Sequence, residues 1–407
     1  MKFKILITLL FISILQPSAN AATVIETKAV IDLSYTGNEQ VSDLLLTPTS
    51  ISIIGTTEAA TSTWIAGNLG GRSDGFISTF SKVGTPLWNL RLGGLNSEIA
   101  TAAAPDADGS IWIVGASAQA VNTTPSPTPT RILNPDNVIL EPIPAAAGQL
   151  NKLNIWQVSA AGQLLNTFET QTAAVISPQK LIVTPTGLVI FGDLYEKSAV
   201  KGFFVSVSKA GVFTSPVKYG VKSTQISSAI LNSDGSFTAV GKSSDLLLKV
   251  KPLSKGDAIS LKISAKGVLQ QVGRATLKST TRSWESISSG LLQGGVVKYS
   301  NKMEASVTKF SAIGKPTWNS RYISKSGALV ATGTNSWATF VSSGAITGLS
   351  TWKPKTPTTV VLQLGKKGEV VTAYSLTGTP VSIGRNNEMG TAVITDSGTS
   401  FGLVLIN

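Results

Sequence analysis

The sequence predicts an all-β protein built from a repeated four-stranded unit. Of its 407 residues, 42% are hydrophobic, 14% are charged and 38 are glycine. This composition is typical of strands joined by tight turns and differs from that of a charged helical bundle. Short β-prone runs alternate with turn signals, and one pattern recurs along the chain: an apolar residue, serine, two further residues and glycine.

The recurring pattern predicts six hairpins of one kind, each with a glycine that needs a positive φ. They lie at 80–84, 158–162, 207–211, 263–267, 310–314 and, in a degenerate copy, 364–368. Two copies extend further, since FSKVGTPLWNLR at 80–91 matches FSAIGKPTWNSR at 310–321. The match indicates internal duplication.

A second kind of hairpin precedes the first in each unit. These hairpins are predicted at 44–55, 102–115, 181–192, 229–241, 286–297, 329–341 and 392–405. A propeller blade has four strands, A to D, and therefore one A–B and one C–D hairpin. Seven A–B and six C–D hairpins predict a single-domain, seven-bladed β-propeller whose last blade is completed by the stretch from Val24 to Leu33. Six blades remain an alternative if 324–376 forms one irregular unit.

One unit carries a family resemblance, on DGFI at 74–77, LGG at 92–94 and DGSIWIVG at 108–115. Residues 72–115 resemble the bacterial extracellular β-propeller repeat that is sometimes called the seven-bladed propeller repeat. Other units match it in part. The resemblance implies a secreted propeller with no shared enzymatic activity, and it carries over no catalytic residue.

The first 21 residues predict a secretory signal peptide. A short basic region with Lys2 and Lys4 precedes an apolar run at 5–15, and Ala-Asn-Ala at 19–21 is a small-x-small cleavage signal. An uncleaved anchor remains an alternative. No later stretch is apolar for long enough to predict a spanning helix. We therefore expect a mature chain from Ala22 that is secreted or associated with the cell envelope.

The chain contains no cysteine and no histidine. This excludes thiolate nucleophiles, imidazole bases, Ser-His-Asp triads and Cys/His zinc sites. No cofactor and no metal are predicted. A non-enzymatic binding or structural scaffold is favoured, although the question of catalysis stays open.

Two enzymatic alternatives need neither histidine nor cysteine. A polysaccharide hydrolase can work with paired carboxylates, and the chain has 11 Asp and 11 Glu. A quinone-dependent dehydrogenase is the more distant alternative, because Trp88 and Trp318 each lie four residues after a turn glycine, as in propellers that bind pyrroloquinoline quinone. A repeated tryptophan also fits packing between blades. Similarly, Asp106–Gly109 and Asn232–Gly235 could be calcium loops, but their Asp-Gly pairs favour hairpin turns.

Charge and loop length indicate where a partner could bind. Residues 22–200 hold 8 Lys and Arg against 14 Asp and Glu, whereas residues 201–407 hold 24 against 8. The longer B–C connections are predicted at 56–73, 116–151, 193–201 and 342–357, the second being a proline-rich insertion. Binding residues are frequent on loops that a rigid scaffold displays. The insertion is either a tolerated surface segment or a lid or arm for a partner.

Seven residues in these loops are the predicted binding site: Trp64, Arg72, Tyr195, Glu196, Trp352, Lys353 and Lys355. Aromatic rings suit sugars or partner side chains, and Arg and Lys donate to anionic groups. The expected partner is an anionic cell-surface polymer, a polysaccharide or a protein. Nucleic acid is not expected, because aromatic residues are not interleaved with the basic ones. In the competing interpretation, each aromatic side chain fastens its own loop and the lysines are merely solvated.

Overall fold

A computed structural model describes residues 22–118 and 148–406. The predicted signal peptide at 1–21 and most of the predicted insertion at 116–151 lie outside the described residues. The described residues form seven sheets. The innermost strands of consecutive sheets contact one another, and the seventh contacts the first, so the sheets close into a ring. The prediction of a seven-bladed β-propeller is confirmed, and the six-bladed alternative is wrong.

The strands of the first three blades follow two short N-terminal strands. The N-terminal strands are β1 (Val24–Glu26) and β2 (Ile31–Ser34). Blade 1 contains β3 (Gln40–Leu46), β4 (Ile51–Thr57), β5 (Asp74–Phe80) and β6 (Pro86–Leu92). Blade 2 contains β7 (Glu98–Pro105), β8 (Ile111–Ala118), β9 (Leu150–Val158) and β10 (Leu164–Gln171). Blade 3 contains β11 (Val175–Thr184), β12 (Gly187–Glu196), β13 (Ala199–Val207) and β14 (Val217–Tyr219).

The remaining blades repeat this order. Blade 4 contains β15 (Thr224–Leu231), β16 (Phe237–Ser243), β17 (Asp257–Ile263) and β18 (Leu269–Ala275). Blade 5 contains β19 (Thr281–Ser288), a 3-10 turn at Ser289–Leu291, β20 (Leu292–Lys298), β21 (Met303–Phe310) and β22 (Pro316–Ile323). Blade 6 contains β23 (Leu329–Thr332), β24 (Ser336–Ser342), β25 (Thr358–Leu364) and β26 (Val370–Leu376). Blade 7 contains β27 (Thr379–Asn386), β28 (Gly390–Asp396) and β29 (Ser400–Ile406).

Blade 7 is completed by an N-terminal strand, as predicted, but only the second half of the predicted stretch takes part. The strand β2 pairs antiparallel with β29 and serves as strand D. The preceding β1 pairs in parallel with β26 and adds a fifth strand to blade 6. The hairpin at 392–405 is therefore the B–C hairpin of blade 7, and the prediction that it is an A–B hairpin is wrong. The A strand β27 contains Pro380 and Gly384, which hide its strand character in the sequence.

The tight turns have the predicted chemistry. All six glycines of the recurring pattern have a φ between 76° and 85°. In blade 1, for example, the N–H of Gly84 donates to the carbonyl of Ser81 at 3.0 Å. Asp106–Gly109 and Asn232–Gly235 are A–B turns closed by the same type of hydrogen bond, at 3.1 and 3.0 Å. The interpretation of these two segments as turns is confirmed.

The core lies within and between the blades. The middle strands are buried on both faces, and every residue of β5 and β8 is buried, because neighbouring blades cover them. The outer strand β10 is mostly exposed. Fully burying one large aliphatic side chain contributes about 1.5–3 kcal/mol, so each buried residue of the B and C strands stabilises the stack of blades. In the part of the chain that is described, no helix has the length and apolar character needed to cross a membrane.

The strand order defines two faces of the ring. Turns between strands A and B and between C and D lie on the A–B face, and the other connections lie on the opposite, B–C face. The B–C connections include 58–73 in blade 1, 244–256 in blade 4 and 343–357 in blade 6. The predicted loop at 193–201 is instead a two-residue turn, since pairing continues to Glu196 opposite Ala199. The long connection in blade 4 is not predicted, because its Leu-Leu-Leu run resembles a strand.

Candidate functional site

The two tryptophans of the predicted binding site are buried, at 6% exposure for Trp64 and 8% for Trp352. The indole N–H of Trp64 donates to the carbonyl of Ser34 at 3.1 Å. The indole N–H of Trp352 donates to the hydroxyl of Ser342 at 3.0 Å. Each ring fastens its own loop to a strand, so neither offers the open aromatic surface that the sequence suggested.

The other predicted site residues lie at the surface but far apart in the ring. Arg72 is in blade 1, Tyr195 and Glu196 are in blade 3, and Lys353 and Lys355 are in blade 6. Hydrogen bonds from Lys201 and Lys218 lower the pKa of Glu196 to about 2, so its charge is already paired. Blades 1, 3 and 6 are not neighbours, and the structure does not bring these residues together. Their binding role stays a prediction.

The structure brings together a different set of side chains, between blades 4 and 5. A pocket of about 200 Å³ lies there at the B–C face. Three exposed lysines line it: Lys242, Lys255 and Lys298. Hydroxyl groups line the rest of the wall: Ser223, Ser243, Ser244, Thr281 and Ser283. We call this the lysine pocket. It combines positive charge with many hydrogen-bond donors.

The lysine pocket forms because strands of two repeats end at the same edge. Lys242 is the last but one residue of β16, and Lys298 is the last residue of β20. Both are B strands, which end on the B–C face, and β16 packs against β19 of the next blade. Sequence reasoning missed these residues because they belong to different repeats. A lysine at the end of the B strand in two consecutive repeats is the signal that could have found them.

Four further lysines continue the positive surface around the pocket. They lie in connections of the B–C face and are exposed: Lys222, Lys249, Lys251 and Lys278. Together with the three pocket lysines they form what we call the lysine surface. Among the described residues, none of these seven forms an ion pair within the 4.0 Å limit. Lys242 and Lys298 interact at longer range with Glu285, and Lys242 also with Asp193, but no close ion pair occupies any of the seven side chains in the described part of the chain.

The neighbouring carboxylates of blade 4 point inward and shape the loops. Asp245 is 7% exposed and accepts the backbone N–H groups of three residues in the preceding connection: Val221, Lys222 and Ser223. Asp257 is fully buried and pairs with Arg274 at 3.3 Å. Because both carboxylates are used inside the protein, the lysine surface keeps its positive potential.

Arg282 lines the lysine pocket from the protein interior, at 8% exposure. Its guanidinium donates to the hydroxyl of Ser306 at 2.7 Å and lies over the ring of Trp284. Burial, followed by repulsion from Arg321, lowers the pKa of Arg282 to about 10, so the group is charged at neutral pH. Its Nε has no hydrogen-bond partner among the described residues. A buried cation with an unpaired donor beside a pocket favours an anionic ligand.

The A strands surround a central channel of about 460 Å³. Six of them have a β-bulge at matching positions in the described chain, and the bulged residues line the channel: Ser42, Thr101, Gln179, Ser227, Glu285 and Val381. Burial raises the pKa of Glu285. Asp43 also lines the channel, but it accepts the N–H groups of Leu44 at 2.8 Å and Ala103 at 3.0 Å. Asp43 thus joins blade 1 to blade 2 and is not free to form the second carboxylate of a hydrolase pair.

Trp88 and Trp318, which raised the quinone alternative, pack between blades. The ring of Trp88 lies 2.6 Å from the position that a Cβ of Gly162 would take, and that of Trp318 lies 2.7 Å from the same position at Gly368. The indole N–H of Trp88 donates to the carbonyl of Ala160 at 3.0 Å. In each case the ring covers the C–D turn of the next blade. The structure therefore supports the packing interpretation of both tryptophans.

Comparison with known proteins gives similarities of fold. No family model and no curated protein matches the chain. A protein from Lactobacillus plantarum of known structure is 13% identical, with a TM-score of 0.50 over 88% of this chain and 92% of its own. At this identity the likeness shows the β-propeller fold alone.

Two further solved structures that are similar to this chain are of a protein bound to its partner and of an enzyme. Sqt1 of Chaetomium thermophilum, bound to the N-terminus of a ribosomal protein, is 9% identical, with a TM-score of 0.46 over 94% of this chain and 100% of its own. The PQQ-bound aldose sugar dehydrogenase of Streptomyces coelicolor is 9% identical, with a TM-score of 0.41 over 76% of this chain and 94% of its own. These two proteins have different roles, and neither role is transferred to this chain.

Proposed function

We propose that this protein is a secreted, non-enzymatic β-propeller that binds an anionic polymer of the cell envelope or the extracellular medium. The binding site is the lysine surface, with the lysine pocket at its centre. One observation carries the proposal: seven exposed lysines and the buried Arg282 lie on one side of blades 4 and 5 with no ion-pair partner among the described residues. A rigid array of positive charge attracts a chain of regularly spaced negative groups.

Three features of the sequence support a secreted protein that binds without catalysing a reaction. The predicted signal peptide would direct the chain to where acidic polysaccharides and glycopolymers lie. The absence of histidine and cysteine favours binding over the catalysis that those residues support. Residues 72–115 resemble the repeat of a family of secreted propellers. On the basis of these residues, we propose that the chain belongs to that family.

The test is binding of the purified protein to polyphosphate and polygalacturonate, with neutral dextran as the uncharged control, over a series of salt concentrations. We expect binding to both charged polymers and a logarithm of affinity that falls linearly with the logarithm of salt. The triple variant Lys242→Ala, Lys255→Ala, Lys298→Ala should lose about tenfold or more in affinity, since three exposed contacts of roughly 0.5 kcal/mol each sum to that factor. Its salt dependence should also be shallower.

A matched triple variant distinguishes binding at the lysine surface from attraction by the net charge of the protein. Lys266→Ala, Lys315→Ala, Lys366→Ala removes the same charge from exposed positions on the A–B face. This control should bind almost as the unaltered protein does. Equal losses in the two triple variants would contradict the proposed site. The double variant Lys353→Ala, Lys355→Ala tests the site that the sequence suggested, and a loss confined to it would move the site to blade 6.

A further inference from the structure

The packing of Trp88 and Trp318 defines a position that recurs in the repeats. Each is the strand D residue that pairs with the last but one residue of strand C: Trp88 with Thr79 and Trp318 with Lys309. From there each ring covers the turn glycine of the following blade. Phe168 and Phe204 cover the turn glycines Gly211 and Gly267 from other positions in their blades. A ring of the preceding blade therefore closes the slot beside four of the turn glycines in the described chain.

Blade 4 has no ring at this position. Gln271 pairs with Lys262 in the same register, so it is the structural equivalent of the two tryptophans. Its nearest atom, the amide nitrogen, lies 4.0 Å from where a Cβ of Gly314 would be. A cavity of about 140 Å³ lies in the resulting slot between blades 4 and 5, beside the turn at 311–314. We call this cavity the aromatic cleft.

The walls of the cleft suit an aromatic ring. Trp284 and Phe310 form an apolar side and meet edge to face, with ring centroids 6.0 Å apart. Leu291, which also lines the cleft, has a φ of 58°, a backbone conformation that costs energy for a residue with a Cβ. Such strained residues are concentrated at ligand sites.

Two hydrogen-bond acceptors at the cleft indicate that a ligand should carry a hydrogen-bond donor. Gln293 lines the cleft at 2% exposure, and its amide oxygen has no hydrogen-bond partner among the described residues. Ala312, one residue after Ser311 in the C–D turn, matches Ala160, one residue after Ser159. The carbonyl of Ala160 accepts the indole N–H of Trp88. A ring that enters the cleft in the same way would find the carbonyl of Ala312 at the equivalent place.

We propose that the aromatic cleft is a docking site for a tryptophan side chain of a partner protein. The intramolecular contact of Trp88 shows how the ring is held: its face lies on the turn glycine and its N–H donates to the turn carbonyl. A cavity of this size takes one ring, which suits a single anchor residue of a larger interface. The C–D turn at 311–314 lies on the A–B face and the lysine surface lies on the B–C face, so the two ligands would occupy different faces of the ring.

The test is ligand-observed saturation-transfer NMR with N-acetyl-tryptophanamide as the probe and N-acetyl-leucinamide as the control. We expect transfer to the tryptophan probe alone, at millimolar concentration. The 1-methyl derivative of the probe should bind more weakly, because it cannot donate to a carbonyl. Absence of transfer to the tryptophan probe in the folded protein would overturn the proposal.

Substitutions at Gln271 show whether the probe binds in the cleft. Gln271→Trp is expected to fill the slot as Trp88 does, so that the probe signal is lost while the melting temperature stays equal or rises. Gln271→Phe is a second filling variant in case the larger ring disturbs folding, and Gln271→Ala should keep probe binding. If the folded filled variants bind the probe as well as Gln271→Ala does, the cleft is not the site. If free indole binds as tightly as a tryptophan-containing peptide, the ligand is a small molecule and the assignment to a protein partner is wrong.

Discussion

The guanidinium carbon of Arg282 lies 4.3 Å from the centroid of the Trp284 ring. Arg282 lines the lysine pocket and Trp284 lines the aromatic cleft, so one cation–π contact joins the two proposed sites. Both residues belong to β19, the A strand of blade 5. A substitution at either residue should therefore affect both sites, whereas Gln271 and the three pocket lysines are exposed residues outside this pair.

Gly162→Ala is expected to destabilise the protein more than Gly235→Ala. The two glycines have φ values of 81° and 78°, so alanine costs a similar strain at each, about 1–2 kcal/mol. At Gly162 the new Cβ also meets the ring of Trp88 at 2.6 Å, whereas nothing lies within 4 Å at Gly235. The clash should add about 1–3 kcal/mol. Urea unfolding measures the loss of unfolding free energy in each variant. Equal losses would show that the contact between Trp88 and residue 162 does not add to the cost of the substitution.

Asp193 should make the stability depend on pH. Burial raises the pKa of Asp193 from 3.8 to about 7, against the opposing effect of a hydrogen bond from the N–H of Ile226 at 2.9 Å. The folded protein thus holds this proton more tightly than the unfolded chain does. The resulting stability is fully present below about pH 4 and is lost as the pH rises through about 7.

Asp193→Asn keeps the acceptor for Ile226 and removes the charge. At pH 8 this variant should be more stable than the unaltered protein, by up to about 4 kcal/mol, and the difference should shrink towards pH 4. Free energies of unfolding at pH 4, 6 and 8 measure it. A difference that is constant across this range would contradict the assignment.

Asp257→Asn is expected to cost about 3–5 kcal/mol, because it leaves the buried guanidinium of Arg274 without its charged partner. Asp257 also accepts the N–H of Leu253 at 2.7 Å, which holds the connection at 244–256. Because that connection carries three lysines of the lysine surface, affinity for polyphosphate should fall as well. Asp234→Asn is the matched control, since its pair with Lys262 is exposed, and thermal unfolding should show little change. Similar losses in both variants would be inconsistent with a special role for the buried pair.

Removal of the closing strand should open the ring. Ile31 and Leu33 of β2 are buried at 8% and 6% exposure, and the strand pairs with β29. Deletion of residues 22–34 would expose the edge of β29, and we expect aggregation or a large fall in melting temperature. Deletion of residues 22–27 removes β1 alone and should cost less, because that strand is an outer addition to blade 6. Size-exclusion chromatography and thermal unfolding compare the two, and a monodisperse, stable protein after the longer deletion would contradict closure by β2.

The features that sequence analysis predicted well depend on residues close together in the chain. The C–D turn at 80–84 and its five relatives were identified from a serine and a glycine at fixed spacing, and the number of blades followed from counting hairpins. The sequence misplaces the A–B turn of blade 7, because Pro380 and Gly384 weaken the strand signal of β27 while the turn at 397–399 resembles those of other A–B hairpins. Local signals identify hairpins but do not say which two strands of a blade a hairpin joins.

The sequence by itself determined the class of fold, the turn glycines, the absence of histidine and cysteine chemistry and the excess of basic residues after residue 200. Only the tertiary structure decided which side chains meet. It buried Trp64 and Trp352, brought Lys242 and Lys298 to one pocket, and left Gln271 where blades 1 and 5 have a tryptophan. The physical reason is that hairpin formation depends on neighbours within a few residues, whereas the gap between two blades depends on how whole sheets stack around the axis of the ring.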